Sequence, residues 1–89
     1  MERHEIYTDA IRAYGETTQE LIAMEECAEL IQAISHKHRG RSNNLAEEIA
    51  DCEIMLEQLK IINNCHERVE TIKREKIERL ARRVYDELL

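Results

Sequence analysis

Two acidic clusters stand out for what they could do chemically. Glu25-Glu26-x-x-Glu29 and Glu47-Glu48-x-x-Asp51 each place carboxylates three residues apart, and eighteen residues separate Glu29 from Glu48. Such spacing puts the members of each pair on one side of a helix. Four carboxylates delivered in pairs by neighbouring helices suit a hard divalent cation, which takes oxygen ligands. Between the clusters lies a basic, glycine-containing segment, His36-Lys37-His38-Arg39-Gly40-Arg41.

The elements that must carry these acids are helices. Eighty-nine residues with no proline, two glycines and three aromatics, all tyrosine, argue against a sheet. The length fits one small domain over residues 1–89, near the lower limit for a self-sufficient core, so burial through self-association is expected. Ile6, Tyr7, Ala10, Ile11 and Tyr14 recur at helical spacing over residues 3–13, and Gly15 breaks that run. Thr17 with Glu20 reads as a capping box opening a second helix to about His38, where Gly40 supplies a left-handed stop. Asn44 with Glu47 opens the third helix in the same way, and Asn63-Asn64 closes it. A last helix from about Glu67 to Leu88 carries Val69, Ile72, Ile77, Leu80, Val84 and Leu88. The expected fold is all-α: four helices with tight connections and antiparallel neighbours, packing into an oligomeric bundle.

At roughly 100° per residue, the third helix has its apolar arc at Met55, Leu59, Cys52, Leu45, Leu56 and Ile49. Glu48 falls inside that arc and Asp51 at its edge beside Ile62, whereas Glu47, Glu53 and Glu57 fall on the solvated side with Lys60. On the second helix Glu26 and Glu29 bracket Ile22 and Ala33, and Glu25 lies toward the polar side. An acidic pair on a helix is ordinarily a solvated face. That reading fails for Glu48, because an unpaired carboxylate among apolar side chains is costly. Either Lys and Arg of the last helix or a bound cation must compensate, and Mg²⁺ better matches clustered oxygens. No glutamate precedes His4, His36, His38 or His66 by three residues, so a ferritin-like iron motif is absent. All-oxygen ligation points to Mg²⁺ or Mn²⁺ and to phosphate chemistry.

The net charge of −6, from 19 acids and 13 bases, speaks against tracking a nucleic-acid backbone. Cys27, Cys52 and Cys65, odd in number, form no CxxC and read as buried or idle thiols of a reducing cytoplasm, not as a disulfide frame or zinc site. No apolar run approaches a membrane span, so a soluble, cytoplasmic protein without a membrane partner is expected.

The two acidic motifs, with Tyr14-Gly15 and Gln19 upstream and Ala28-Glu29-Leu30 within the first, resemble the signature of MazG-like all-α nucleoside triphosphate pyrophosphohydrolases over roughly residues 10–85. The resemblance implies hydrolysis of a (deoxy)nucleoside triphosphate to monophosphate and pyrophosphate by water attack at the α-phosphorus. It implies Glu26, Glu29, Glu48 and Asp51 as Mg²⁺ ligands and Glu25 as an outer-shell acid or catalytic base. It also implies a homodimer or homotetramer. Such chemistry wants cations on the leaving pyrophosphate. On the last helix Lys76, Arg79 and Arg83 fall beside the apolar face, with Lys37, Arg39 and Arg41 of the loop as second choice. Snorkelling, or pairing with Glu75 and Glu78, is the plainer role for that stripe. Gln19 could touch a base or sugar, though a glutamine at a helix start is ordinarily solvated. The absence of tryptophan and phenylalanine leaves the base unassigned. Ile54 and Ile61, on the otherwise polar side of the third helix, suggest a subunit contact. Two other readings compete: a non-catalytic helical association or regulatory module, and a nucleotide-binding relative with weak activity.

Overall fold

The computed structural model describes residues 1–88, with side chains through Asp86. Four helices follow one another: α1 (Arg3–Tyr14), α2 (Glu16–His38), α3 (Leu45–Ile62) and α4 (His66–Leu88). The fold class is the all-α one that composition requires. Leu88, expected on the apolar face of α4, lies outside the described side chains.

The connections are set by three residues with positive φ. Gly15 (φ 96°) lets α2 begin one residue after α1 ends, donating to the Ile11 carbonyl and accepting from the Gln19 N–H. The Thr17 capping box is therefore not used, because the chain is already helical at Glu16. Gly40 (φ 69°) closes α2 as expected: its N–H bonds to the Lys37 carbonyl and the Arg41 N–H to the His36 carbonyl. Asn64 (φ 48°) repeats that arrangement at the end of α3, with Cys65 N–H on Lys60 O and Asn64 N–H on Ile61 O. Asparagine tolerates the left-handed region better than most side chains do. His36 lies in the last turn of α2 and is half-buried.

The core lies between α2 and α3. Gln19 meets Gln58, Cys27 meets Cys52 and Glu29 meets Glu48, so one helix descends as the other rises and the pair is antiparallel. Ala23 and Ala33 on α2 and Cys52 and Met55 on α3 are all buried. Small residues on α2 allow the helices to approach closely. Buried among them, Gln19 Nε2 donates to Gln58 Oε1 at 2.7 Å, and Gln58 Nε2 reaches Met55 Sδ. Helix α1 packs against both α2 and α3.

Helix α4 does otherwise. Among the described residues it touches only α3, Lys60 Nζ reaching Glu70 across the connection at 3.9 Å, and every residue from Thr71 to Leu80 is exposed. The Cα radius of gyration is 16.4 Å, against the ~12 Å of a compact chain of this length. Ile77 (59% exposed), Leu80 and Val84 thus present an apolar face that this chain leaves uncovered. Two further expectations need correction. Ile49 and Leu56 belong by periodicity to the apolar arc of α3, yet both are exposed, because α1 and α2 together cover only one side of that arc. Glu57 is half-buried and bonded to Lys60 instead of free in solvent.

Candidate metal centre

The buried line of α3 runs Glu48, Cys52, Met55, Gln58, stepping by three and four residues. That periodicity puts a carboxylate on the face that meets α2. Facing it, Glu26 and Glu29 sit one helical turn apart on α2. Glu26, Glu29 and Glu48 each bring a carboxylate oxygen within 4.8 Å of the others. Glu48 is buried (7% exposed), Glu26 half-buried and Glu29 exposed, so the cluster has a closed floor and an open mouth.

Asp51 does not join that closest group, but it is half-buried and its charge is felt by both partners. Burial pushes the Glu26 carboxyl above its usual range, with Asp51 and then Glu48 adding to the rise and a hydrogen bond with Glu29 opposing it. Burial likewise raises Glu48; the Asn44 hydrogen bond pulls back, and Glu29 and Asp51 push further up. Glu25 is exposed at the rim, and Glu47 is in solvent as expected.

Asn44 is the residue that sequence reasoning misassigned. It precedes α3 but makes no side-chain capping bond. Its Nδ2 instead donates to Glu48 Oε1 at 2.7 Å, and Asn43 Oδ1 accepts the Leu45 N–H at 3.1 Å in an Asx turn before the helix. The signal was present in the spacing, since Asn44 stands four residues before Glu48 on the same side of the helix.

With one oxygen of Glu48 held by Asn44, the other, Oε2, is buried without a partner, and so is Glu26 Oε2. Buried polar atoms are ordinarily satisfied. No lysine or arginine supplies the counter-charge: the ion pairs among the described residues are Arg12–Asp9, Lys60–Glu57, Lys60–Glu70 and Lys73–Glu70. Two orphaned carboxylate oxygens in an all-oxygen cluster fit a divalent cation of the Mg²⁺ or Mn²⁺ kind.

The other expected site residues lie elsewhere. Lys76 and Arg79 line a shallow depression with Ile72, Glu75 and Arg82, formed by α4 alone, and Arg83 is exposed on the same helix. One copy of the chain does not bring them to the acids. Lys37 and Arg39 are exposed at the end of α2, and Arg41 in the loop beyond. Gln19 is buried at 4% exposure, about two turns from Glu26 along α2, bonded to Gln58 and not solvated. Beside the acid cluster, Cys27 and Cys52 face each other across the helix pair with their sulfurs 3.5 Å apart. Burial, then the bond with Cys27, pushes the Cys52 thiol up.

No protein-family model, curated protein or solved structure matches this chain.

Proposed function

We propose that this chain is a Mg²⁺- or Mn²⁺-dependent hydrolase that converts a (deoxy)nucleoside triphosphate to its monophosphate and pyrophosphate. The observation that carries the proposal is the pair of partnerless buried oxygens, Glu26 Oε2 and Glu48 Oε2, in a three-acid cluster that no cationic side chain among the described residues neutralises. The resemblance of Glu25-Glu26-x-x-Glu29 and Glu48-x-x-Asp51 to the MazG-like pyrophosphohydrolase signature supports the choice of reaction. When bound, the cation neutralises the triphosphate and lowers the pKa of the attacking water.

The chain's own residues divide the remaining work. Glu26, Glu29 and Glu48 hold the cation, with Asp51 completing the oxygen set. Asn44 fixes the Glu48 carboxylate by donating to Oε1, leaving Oε2 for the ligand. Glu25, exposed next to Glu26, is assigned the proton released by the attacking water. The open side at Glu29 admits substrate, while the buried side at Glu48 limits water and strengthens every charge interaction there. Lys76, Arg79 and Arg83 are assigned to the departing pyrophosphate, which requires that α4 be laid over an acid cluster. A homodimer or homotetramer, assembled through the uncovered Ile77, Leu80 and Val84 face, would do this. The three free thiols support a reducing compartment, and we propose the cytoplasm. No helix among the described residues is long and apolar enough to cross a membrane.

One observation favours a second reading. So little of the apolar surface is buried within one copy that the chain could be a helical association module without turnover. Incubation with the common NTPs and dNTPs and Mg²⁺ separates the two. The hydrolase releases pyrophosphate and monophosphate; release of orthophosphate, or no turnover of any nucleotide, removes the proposal.

A further inference from the structure

Across the α2–α3 interface the Cys27 and Cys52 sulfurs lie 3.5 Å apart, in contact but unbonded. A disulfide spans about 2.05 Å, so bonding them requires the sulfurs to close by roughly 1.5 Å. Their exposure is unequal. Cys52 is buried, whereas Cys27 lines a surface depression with Glu20, Ala23, Met24 and Leu59. A reagent from solvent therefore meets Cys27 first, with Cys52 directly behind it. That is the arrangement of an attacked thiol and a resolving thiol. Cys65 lies beyond the end of α3 and takes no part in the sulfur pair.

We propose that Cys27 and Cys52 are a reversible thiol–disulfide site that staples α2 to α3 beside the acid cluster. The oxidant is a low-molecular-weight disulfide such as glutathione disulfide. The Cys27 sulfur forms a bond to one glutathione sulfur, the S–S bond of the reagent breaks, and the first glutathione leaves carrying a proton. The Cys52 sulfur then bonds to Cys27 and the second glutathione leaves as a thiol. Two protein S–H bonds are replaced by one S–S bond, and the reagent is reduced to two thiols. Glu26 is bonded directly to Cys27 and Asp51 to Cys52. Where that closure is taken up by the backbone, it displaces the segments that carry both acids, and the oxidised form then holds a divalent cation more weakly. This consequence rests on the metal reading above; the disulfide itself does not.

The test equilibrates the intact protein in glutathione redox buffers, quenches it, and reads intact mass and peptide maps. Wild type and Cys65→Ser lose two hydrogens and yield a Cys27–Cys52 linked peptide, reversed by a dithiol. Cys52→Ser accumulates a single glutathione adduct on Cys27, and Cys27→Ser leaves Cys52 unmodified. A disulfide through Cys65, linked dimers, or a wild-type adduct that stops at Cys27 overturns the proposal, and the wild-type map alone decides should the variants fail to fold. Mg²⁺ titration of the two redox forms, followed by thermal shift, then separates the parts. A Mg²⁺ response about tenfold weaker in the oxidised form is expected, the size of effect that displaced supporting residues have on metal sites. An equal response in both forms overturns the coupling, and no response in either overturns the metal reading while leaving the disulfide standing.

Discussion

The α2–α3 pair, rich in acids with one lysine in each helix, and the Arg- and Lys-rich α4 place their charges in opposite ways. Between α2 and α3 the carboxylates of Glu26 and Glu48 are drawn inward, uncompensated, in the same interface that holds the Gln19–Gln58 bond and a pair of thiols. On α4 every cation from Lys73 to Arg83 is in solvent, and the apolar residues are exposed with them. Burying unpaired acid costs stability, and leaving Ile77, Leu80 and Val84 exposed forgoes it. Neither choice serves a small monomer. Both make sense if the first region awaits a cation and the second a copy of the chain. Under the proposed function, the acids of one protomer would be completed by the cations on α4 of another.

That contrast can be broken first at Glu48. Glu48→Gln keeps the shape and the Asn44 contact but removes a ligand charge. Pyrophosphate release should fall well beyond the ~100-fold that loss of a supporting residue costs a metal site. Activity within a few-fold of wild type would mean that the cluster is not the site. Asn44→Ala comes next. Losing the bond that aims Glu48 should weaken Mg²⁺ affinity about tenfold in titration calorimetry. Loss of a cap would instead cost about 1 kcal/mol of stability and leave Mg²⁺ affinity unchanged.

The α4 side gives smaller effects. Arg79→Ala should raise KM about fivefold, since an exposed ion pair is worth up to ~1 kcal/mol, without altering Mg²⁺ affinity. Leu80→Asp should reduce the particle mass in analytical ultracentrifugation while circular dichroism stays helical. An unchanged mass would remove the assembly argument.

The smallest effect is on pH dependence. Glu26 and Glu48 are raised in the folded chain, so above the ordinary glutamate range the folded state holds protons that the unfolded state has released. Their contribution is present below that range and is lost as pH rises through the raised values. Metal-free protein should therefore gain thermal stability as pH falls from neutral toward that window, and Glu48→Gln should flatten the slope. Identical slopes would contradict the assignment.

Much of this was legible in the chain. Helical periodicity marked Glu48 as inward, and the structure buries it; the same rule put Glu25 at the rim and Glu47 in solvent. Gly40 and Asn63-Asn64 marked helix ends because few residues accept a left-handed backbone. What periodicity could not supply was the partner of each face. It placed Ile49 and Leu56 in an apolar arc without knowing that α1 and α2 cover only part of it. It gave Asn44 to the backbone, since a capping bond and an Nδ2 bond to Glu48 start from the same residue. Gln19 and Gln58, thirty-nine residues apart, could not be paired from local spacing at all. Periodicity puts Lys76, Arg79 and Arg83 beside the apolar face of α4 but does not say what that face meets, and among the described residues α4 contacts α3 alone.

The most direct test of the inward acid cluster is the thermal midpoint with and without Mg²⁺, in wild type and in Glu48→Gln. A cation held by Glu26, Glu29 and Glu48 raises the wild-type midpoint with Mg²⁺ concentration. The variant should lose that rise and, metal-free, be at least as stable as wild type, because a repelling buried charge is gone. A variant that responds to Mg²⁺ as wild type does, or a wild type that does not respond, would contradict the account.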